Sequence, residues 1–171
     1  MLTQKMLDAI NEQVNAELYS AYLYLSMNAY FQNKNLPGFA NWMMIQTGEE
    51  MAHAMKQYNY INDRGAKALL KQIAAPPAEW KNPLDVFNNV YEHEKKVTAL
   101  INNLMDIAIK EKDHASQIFL QWFVTEQIEE EKNAGEIVEK LKLIGSDTTA
   151  IYILDKELAL RAPAPPQGGP A

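Results

Sequence analysis

The 171-residue chain has no cysteine. Disulfides, thiolate zinc sites and cysteine-held iron–sulfur clusters are therefore excluded. Glycine and proline are sparse before Ala162. No β-branched run alternates with polar residues between turn signals, so a sheet is not expected. No apolar stretch is long enough to cross a bilayer, and Met1-Leu2-Thr3-Gln4-Lys5 lacks the apolar core of a signal peptide. The expected address is cytoplasmic, away from membranes. The formal charge is −6 and no Lys/Arg-rich arm is present. Nucleic acid is thus not an expected partner, whereas cations are.

What the chain does contain is helix. Long stretches of Ala, Leu, Glu, Lys, Met and Gln favour it. The spacing predicts a first helix from about Thr3, its N-cap, to Asn33. A second runs from Pro37 to Arg64, with Gly65 as its stop. A third starts at Asn82-Pro83 and ends before Glu111-Lys112-Asp113. A fourth is capped by Asp113 and ends at Gly145-Ser146-Asp147, and a short fifth covers about 148–160. Residues 1–161 form one all-α domain on this reading, and 162–171 form a Pro/Gly-rich tail with the composition of disorder. The link from Gly65 to Asn82 is too long for a hairpin loop. Its roughly 17 extended residues reach almost 60 Å, against about 42 Å for a 28-residue helix. It can therefore run the length of the bundle and make the third helix parallel to the second.

Each of the four long helices has an apolar seam, and each seam is broken by polar groups. Glu17, Glu50, His53, Glu94, Gln127 and Glu130 all fall on the face that packs inward. A buried, unpaired carboxylate costs several kcal/mol. Counted along the helices at 1.5 Å per residue, the six groups share one level to within about a turn. A common partner is required there, and a metal cluster supplies it. Glu50-x-x-His53 and Gln127-x-x-Glu130 are i,i+3 pairs that present two groups on one helix face. Glu17 and Glu94 add one carboxylate from each remaining helix, close to the pattern of di-metal carboxylate bundles. Oxygen-rich ligation with one imidazole suits iron or manganese better than zinc or copper. Glu126, Glu129 and Glu130 lie at like-charge spacings that are unfavourable without a counter-ion. Glu131 is expected to face solvent, and His93 and His114 to be surface groups.

The segments Asn11-Glu12-Gln13-Val14-Asn15-Ala16-Glu17-Leu18-Tyr19-Ser20-Ala21-Tyr22-Leu23-Tyr24, Glu49-Glu50-Met51-Ala52-His53 and Glu126-Gln127-Ile128-Glu129-Glu130-Glu131 resemble the non-haem ferritins of bacteria and archaea. The resemblance extends to about Arg161 and includes Leu154-Asp155-Lys156-Glu157-Leu158 in the fifth helix. It implies a ferritin-like four-helix bundle with a long crossover between helices 2 and 3. It further implies a homo-oligomeric cage of 24 subunits and iron storage as ferric oxyhydroxide. The activity implied is a ferroxidase that oxidises Fe(II) to Fe(III) with O2 or H2O2. Glu17, Glu50 and His53 then match ligands of a first iron, with Glu50 bridging. Glu94 and Glu130 match ligands of a second, with Gln127 beside the oxygen site. Glu49, Glu126 and Glu129, with Glu130 shared, match a third iron site. Tyr24 matches the family tyrosine beside the centre, and Trp122 is a weaker neighbour candidate.

Three rivals carry recognisable marks. A bacterioferritin binds haem through a methionine at the position of Met51, but it has a histidine where this chain has Glu130, so haem is not expected. A rubrerythrin-like peroxidase needs the absent cysteines. A non-catalytic cage or scaffold would not oxidise iron. The acidic three-fold channel positions of animal ferritins fall near Gln117 and Leu120, which leaves Asp113 as the acidic group at that end.

Overall fold

The computed structural model of the protein describes residues 2–163. Five helices follow one another: α1 (Gln4–Asn33), α2 (Pro37–Asp63), α3 (Pro83–Lys110), α4 (His114–Ile144) and α5 (Thr148–Leu158). Among the described residues there is no strand, and no helix is long and apolar enough to cross a membrane. The expected tail falls almost wholly outside the described residues.

The helix ends follow local chemistry. Thr3, Asn82, Asp113 and Asp147 each accept a backbone N–H of the first turn with their side chains, which satisfies donors the helix leaves open. Pro37 and Pro83 sit in first turns, where the missing N–H costs nothing. Gly65 and Gly145 take positive φ just beyond α2 and α4, the conformation glycine accepts without a Cβ penalty.

The α1 and α2 helices form one hairpin, and α3 and α4 form another. The link between the hairpins climbs beside α1. Asn11 Oδ1 accepts from the Leu69 N–H, Asn15 donates to the carbonyls of Lys71 and Gln72, Ser26 donates to the carbonyl of Pro77, and Trp80 packs on Tyr30. The end of α2 consequently meets the start of α4: Arg64 is bidentate to Asp113 at 3.1 Å, and Tyr60 bonds Ser116 at 2.9 Å. At the opposite end Trp42 and Phe39 meet Phe87. The second and third helices therefore run parallel, as the link length requires.

The core is divided. One apolar cluster contains Leu23, Phe31, Phe39, Met43, Phe87, Val90 and Ala134. A second contains Ile10, Val14, Ile61, Val97, Leu120 and Phe123. On every long helix polar positions lie between the two: Glu17 after Val14, Gln46 to Gln57 before Ile61, Glu94 between Val90 and Val97, and Gln127 to Glu130 between Phe123 and Ala134. The layer is polar across the full bundle because each helix gives up part of its apolar seam there, α2 the most.

Candidate metal centre

All six seam groups are buried: Glu17 and Glu94 are 1% exposed, Glu50 2%, Gln127 and Glu130 5%, and His53 6%. Among the described residues, Glu17, Glu50 and His53 are the group of carboxylates and imidazoles that meets as a possible metal site, with ligand atoms all within 4.8 Å of one another. Glu50 and His53 belong to one helix face, and their Oε2 and Nδ1 atoms are 3.4 Å apart. Glu17 reaches them from α1. Its Oε1 accepts from the amides of Gln13 and Gln57, each at 3.1 Å, while its buried Oε2 has no protein partner.

On the other side, Tyr24 donates to Glu94, and the Gln127 amide lies 3.3 Å from both Glu94 Oε2 and the Thr98 hydroxyl. Glu130 Oε2 accepts from the Gln46 amide at 2.6 Å. Glu94 and Glu130 do not join the compact triad, but their charges reach it. Burial raises the Glu50 carboxyl well above its usual range, and Glu94, Glu17 and Glu130 raise it further. Burial lifts Glu17 to about 7, against the pull of its glutamine bonds. Burial and the charge of Glu94 lift Glu130 to about 8. Glu94 also moves up on burial, offset by Tyr24 and Gln127. Desolvation lowers His53 to about 4, so its ring is neutral and free to ligate.

The donor set fits a pair of hard cations. Four buried carboxylates would carry four negative charges, which two divalent ions match. The orphaned Glu17 Oε2 on α1, together with the unpartnered side-chain amide oxygens of Gln46 and Gln57 on α2, offers acceptors that want a cation or a proton.

The three outer glutamates are arranged differently. Glu49 and Glu126 are half-buried and Glu129 is exposed. They do not close to ligand distance. Glu126 is nevertheless raised by burial and by the charges of Glu129 and Glu49. Glu49 is held by Arg161 at 2.5 Å. Trp122 stands at the rim with its ring 5.2 Å from that of His53 and with Lys56 over its face.

Two expectations are corrected. His93 is not a free surface group. It is half-buried, its Nε2 is 2.8 Å from Ser20 Oγ, and its ring meets the edge of Tyr24. Desolvation lowers it to about 4. It stands one residue before the seam position Glu94, on the side that faces Ser20 and Tyr24 of α1. Glu131 is likewise half-buried and accepts from Thr98 at 2.6 Å. His114 is exposed, as expected. Gln13, Gln46 and Gln57 also belong to the site, because their amides donate to Glu17 and Glu130; the sequence motifs do not mark them. Gln46 and Gln57 were visible as further polar residues on the α2 seam.

Four helices that converge on buried carboxylates and one imidazole define a metal-carboxylate bundle. The ferritin-like domain family matches residues 7–144, and the chain belongs to that family. A bacterial non-heme ferritin from Bacteroides fragilis (strain 638R) is 46% identical over 161 residues, 94% of this chain and 100% of its own length. One from Staphylococcus saprophyticus is 43% identical over 162 residues, 95% and 97% of the two lengths. The open pore ferritin of the hyperthermophilic archaeon Archaeoglobus fulgidus superposes with a TM-score of 0.94 at 52% identity, covering 95% of this chain and all of its own. Family, relatives and buried site together identify iron storage as the function.

Proposed function

We propose that the protein is a ferroxidase that takes up Fe(II) at the buried layer, oxidises it and stores the ferric product inside a 24-subunit cage in the cytoplasm. The observation that carries this reading is the set of four carboxylates at 5% exposure or less, joined by a neutral imidazole and, among the described residues, matched by no buried lysine or arginine. Glu17, Glu50 and His53 bind the first Fe(II). Glu94 and Glu130 bind the second, and Glu50 lies between the two sets. Gln127 and Tyr24 orient Glu94. Each pair of Fe(II) ions gives two electrons. With two protons these convert O2 to H2O2, or H2O2 to two waters. The carboxyl protons displaced on binding leave the site as the metal enters. The glutamine and tyrosine donors then hold the oxygen ligands in place while the iron charge changes.

Glu49, Glu126 and Glu129, with Glu130 shared, form a third iron site on the outer side of the layer. Glu126, raised chiefly by burial and further by the charges of Glu129 and Glu49, supports it. Haem has no part in this reading, in line with the non-heme names of the relatives.

The test is the initial rate of Fe(II) oxidation by Glu50→Ala beside wild type. The variant is expected to lose at least tenfold. Equal rates would reduce the protein to a passive container.

A further inference from the structure

The end of α5 lies against the outer glutamates, and several contacts put it there. Asp155 Oδ1 accepts from the N–H groups of Gly38 at 2.7 Å and Phe39 at 3.1 Å, so α5 caps the start of α2. The Asn41 amide donates to the carbonyls of Leu158 at 3.3 Å and Arg161 at 3.1 Å. With its backbone held, Arg161 turns its guanidinium back onto α2. Nη1 donates to the Trp42 carbonyl at 3.3 Å, and the guanidinium carbon is 4.5 Å from the centre of the Trp42 ring. Nη2 donates to Glu49 Oε2, and both side chains are only 21% exposed. The same cation acts on Glu130, where its charge opposes the rise caused by burial. Glu49 and Glu130 are two of the groups assigned to the third iron site.

We propose that Arg161 is a displaceable internal counter-ion of the third iron site, so that its guanidinium and an iron ion compete for Glu49. The inference rests on the third-site reading above. A cation ligated by Glu49 Oε2 would sit beside a guanidinium already bonded to that oxygen. At such a separation in a partly buried setting, two positive charges repel each other. Arginine cannot relieve the conflict by losing its proton, as a lysine can. It must move. Its stacking on Trp42 and its bond to the Trp42 carbonyl are separate from Glu49, so the guanidinium can give up the carboxylate and keep its place on the indole. The third ion is accordingly the weakest and most exchangeable of the three, and α5 sets its affinity.

Metal-free assembled protein titrated anaerobically with Fe(II), with bound iron counted per subunit, tests this. In Arg161→Gln the third ion should bind about tenfold more tightly, the scale of one partly buried charge pair. Arg161→Lys, whose ammonium can shed its proton, should fall between wild type and Arg161→Gln, with helix content alike in all three; a lysine variant that binds the third ion more weakly than wild type overturns the proposal. Equal third-ion affinity in wild type and Arg161→Gln overturns the role of Arg161 and leaves the third site standing. If wild type and Arg161→Gln both stop at two ions, and Glu49→Gln changes nothing, the third-site reading falls and this inference falls with it. An Fe(II)-soaked wild-type crystal provides a test free of any folding defect. Anomalous density on Glu49 with Arg161 swung away supports the proposal, and an ion there with the Arg161–Glu49 bond intact overturns it.

Discussion

At the scale of single residues, the centre depends on neutral donors as much as on its carboxylates. Glu17 carries two glutamine bonds on one oxygen and leaves the other free. That arrangement fixes which lone pairs point inward. Removing a group that orients a metal ligand commonly costs 10–100-fold in affinity. Gln57→Leu keeps the approximate volume and deletes one donor. The tightest Fe(II) site should weaken by about tenfold, read by anaerobic titration, with the fold intact by circular dichroism. An unchanged affinity would mean that Gln13 alone orients Glu17. The charged half of this arrangement was legible in the sequence, because a carboxylate on an apolar seam conflicts with its surroundings and Glu50-x-x-His53 has ligand spacing. The amide half was legible only in part: Gln127 stands out through its spacing from Glu130, but the pairing of Gln13, Gln46 and Gln57 with particular carboxylates does not. A glutamine on a seam carries no charge conflict, and the bond from Gln57 to Glu17 joins positions 40 apart in sequence. Arg161 was hidden for a similar reason, since its partner Glu49 lies 112 positions away.

At the scale of elements, two glycines of α2 make opposite demands. Gly38 lies under α5, and a Cβ built on it would stand 1.6 Å from the Asp155 carbonyl oxygen. Nothing flexible can move aside there, because the obstacle is backbone. Gly38→Ala should separate α5 from the start of α2 and lose the two bonds to Asp155, a cost of about 2 kcal/mol or more. Faster amide exchange confined to α5 and a lower Tm would record it. Gly48 has nothing within 4 Å of an added Cβ. Gly48→Ala in the middle of α2 should therefore stabilise by about 0.5–1 kcal/mol. The contrast controls for a general effect of alanine. The helices themselves could be read from caps, breakers and seams: Thr3, Asn82 and Asp113 start helices where their side chains predict. The length of the 65–82 link implied the crossover. The docking of α5 on the start of α2 had no local sign, because Gly38 reads as an ordinary first-turn residue until Asp155 is brought against it.

At the scale of the whole molecule, the two hairpins enclose a layer of like charge that destabilises the bundle unless protons or metal ions neutralise it. The pH dependence of the metal-free protein follows. Glu17 and Glu130 are raised to about 7 and about 8 in the fold, against an unfolded value of about 4.3. A raised carboxyl holds its proton more tightly folded than unfolded. Its contribution is complete below the unfolded value and is lost as pH climbs through the folded one. His53 and His93 run the other way. Both fall to about 4, so their contribution is complete above an unfolded value of about 6.5 and is lost as pH drops toward 4. Above about pH 6.5 the histidine contribution is constant, and only the carboxylates titrate. Metal-free protein should therefore melt lower at about pH 8.5 than at about pH 6.5, by several degrees for a chain of this size. Metal reverses the trend. A divalent ion replaces the protons and binds more tightly as pH rises, so the alkaline loss should shrink or vanish when the buried layer is filled with Fe(II) under anaerobic conditions. Thermal unfolding at the two pH values, with and without Fe(II), reads both effects. A flat metal-free profile across that range would show that the four carboxylates are not held as a repelling set, and that the bundle has another means of tolerating them.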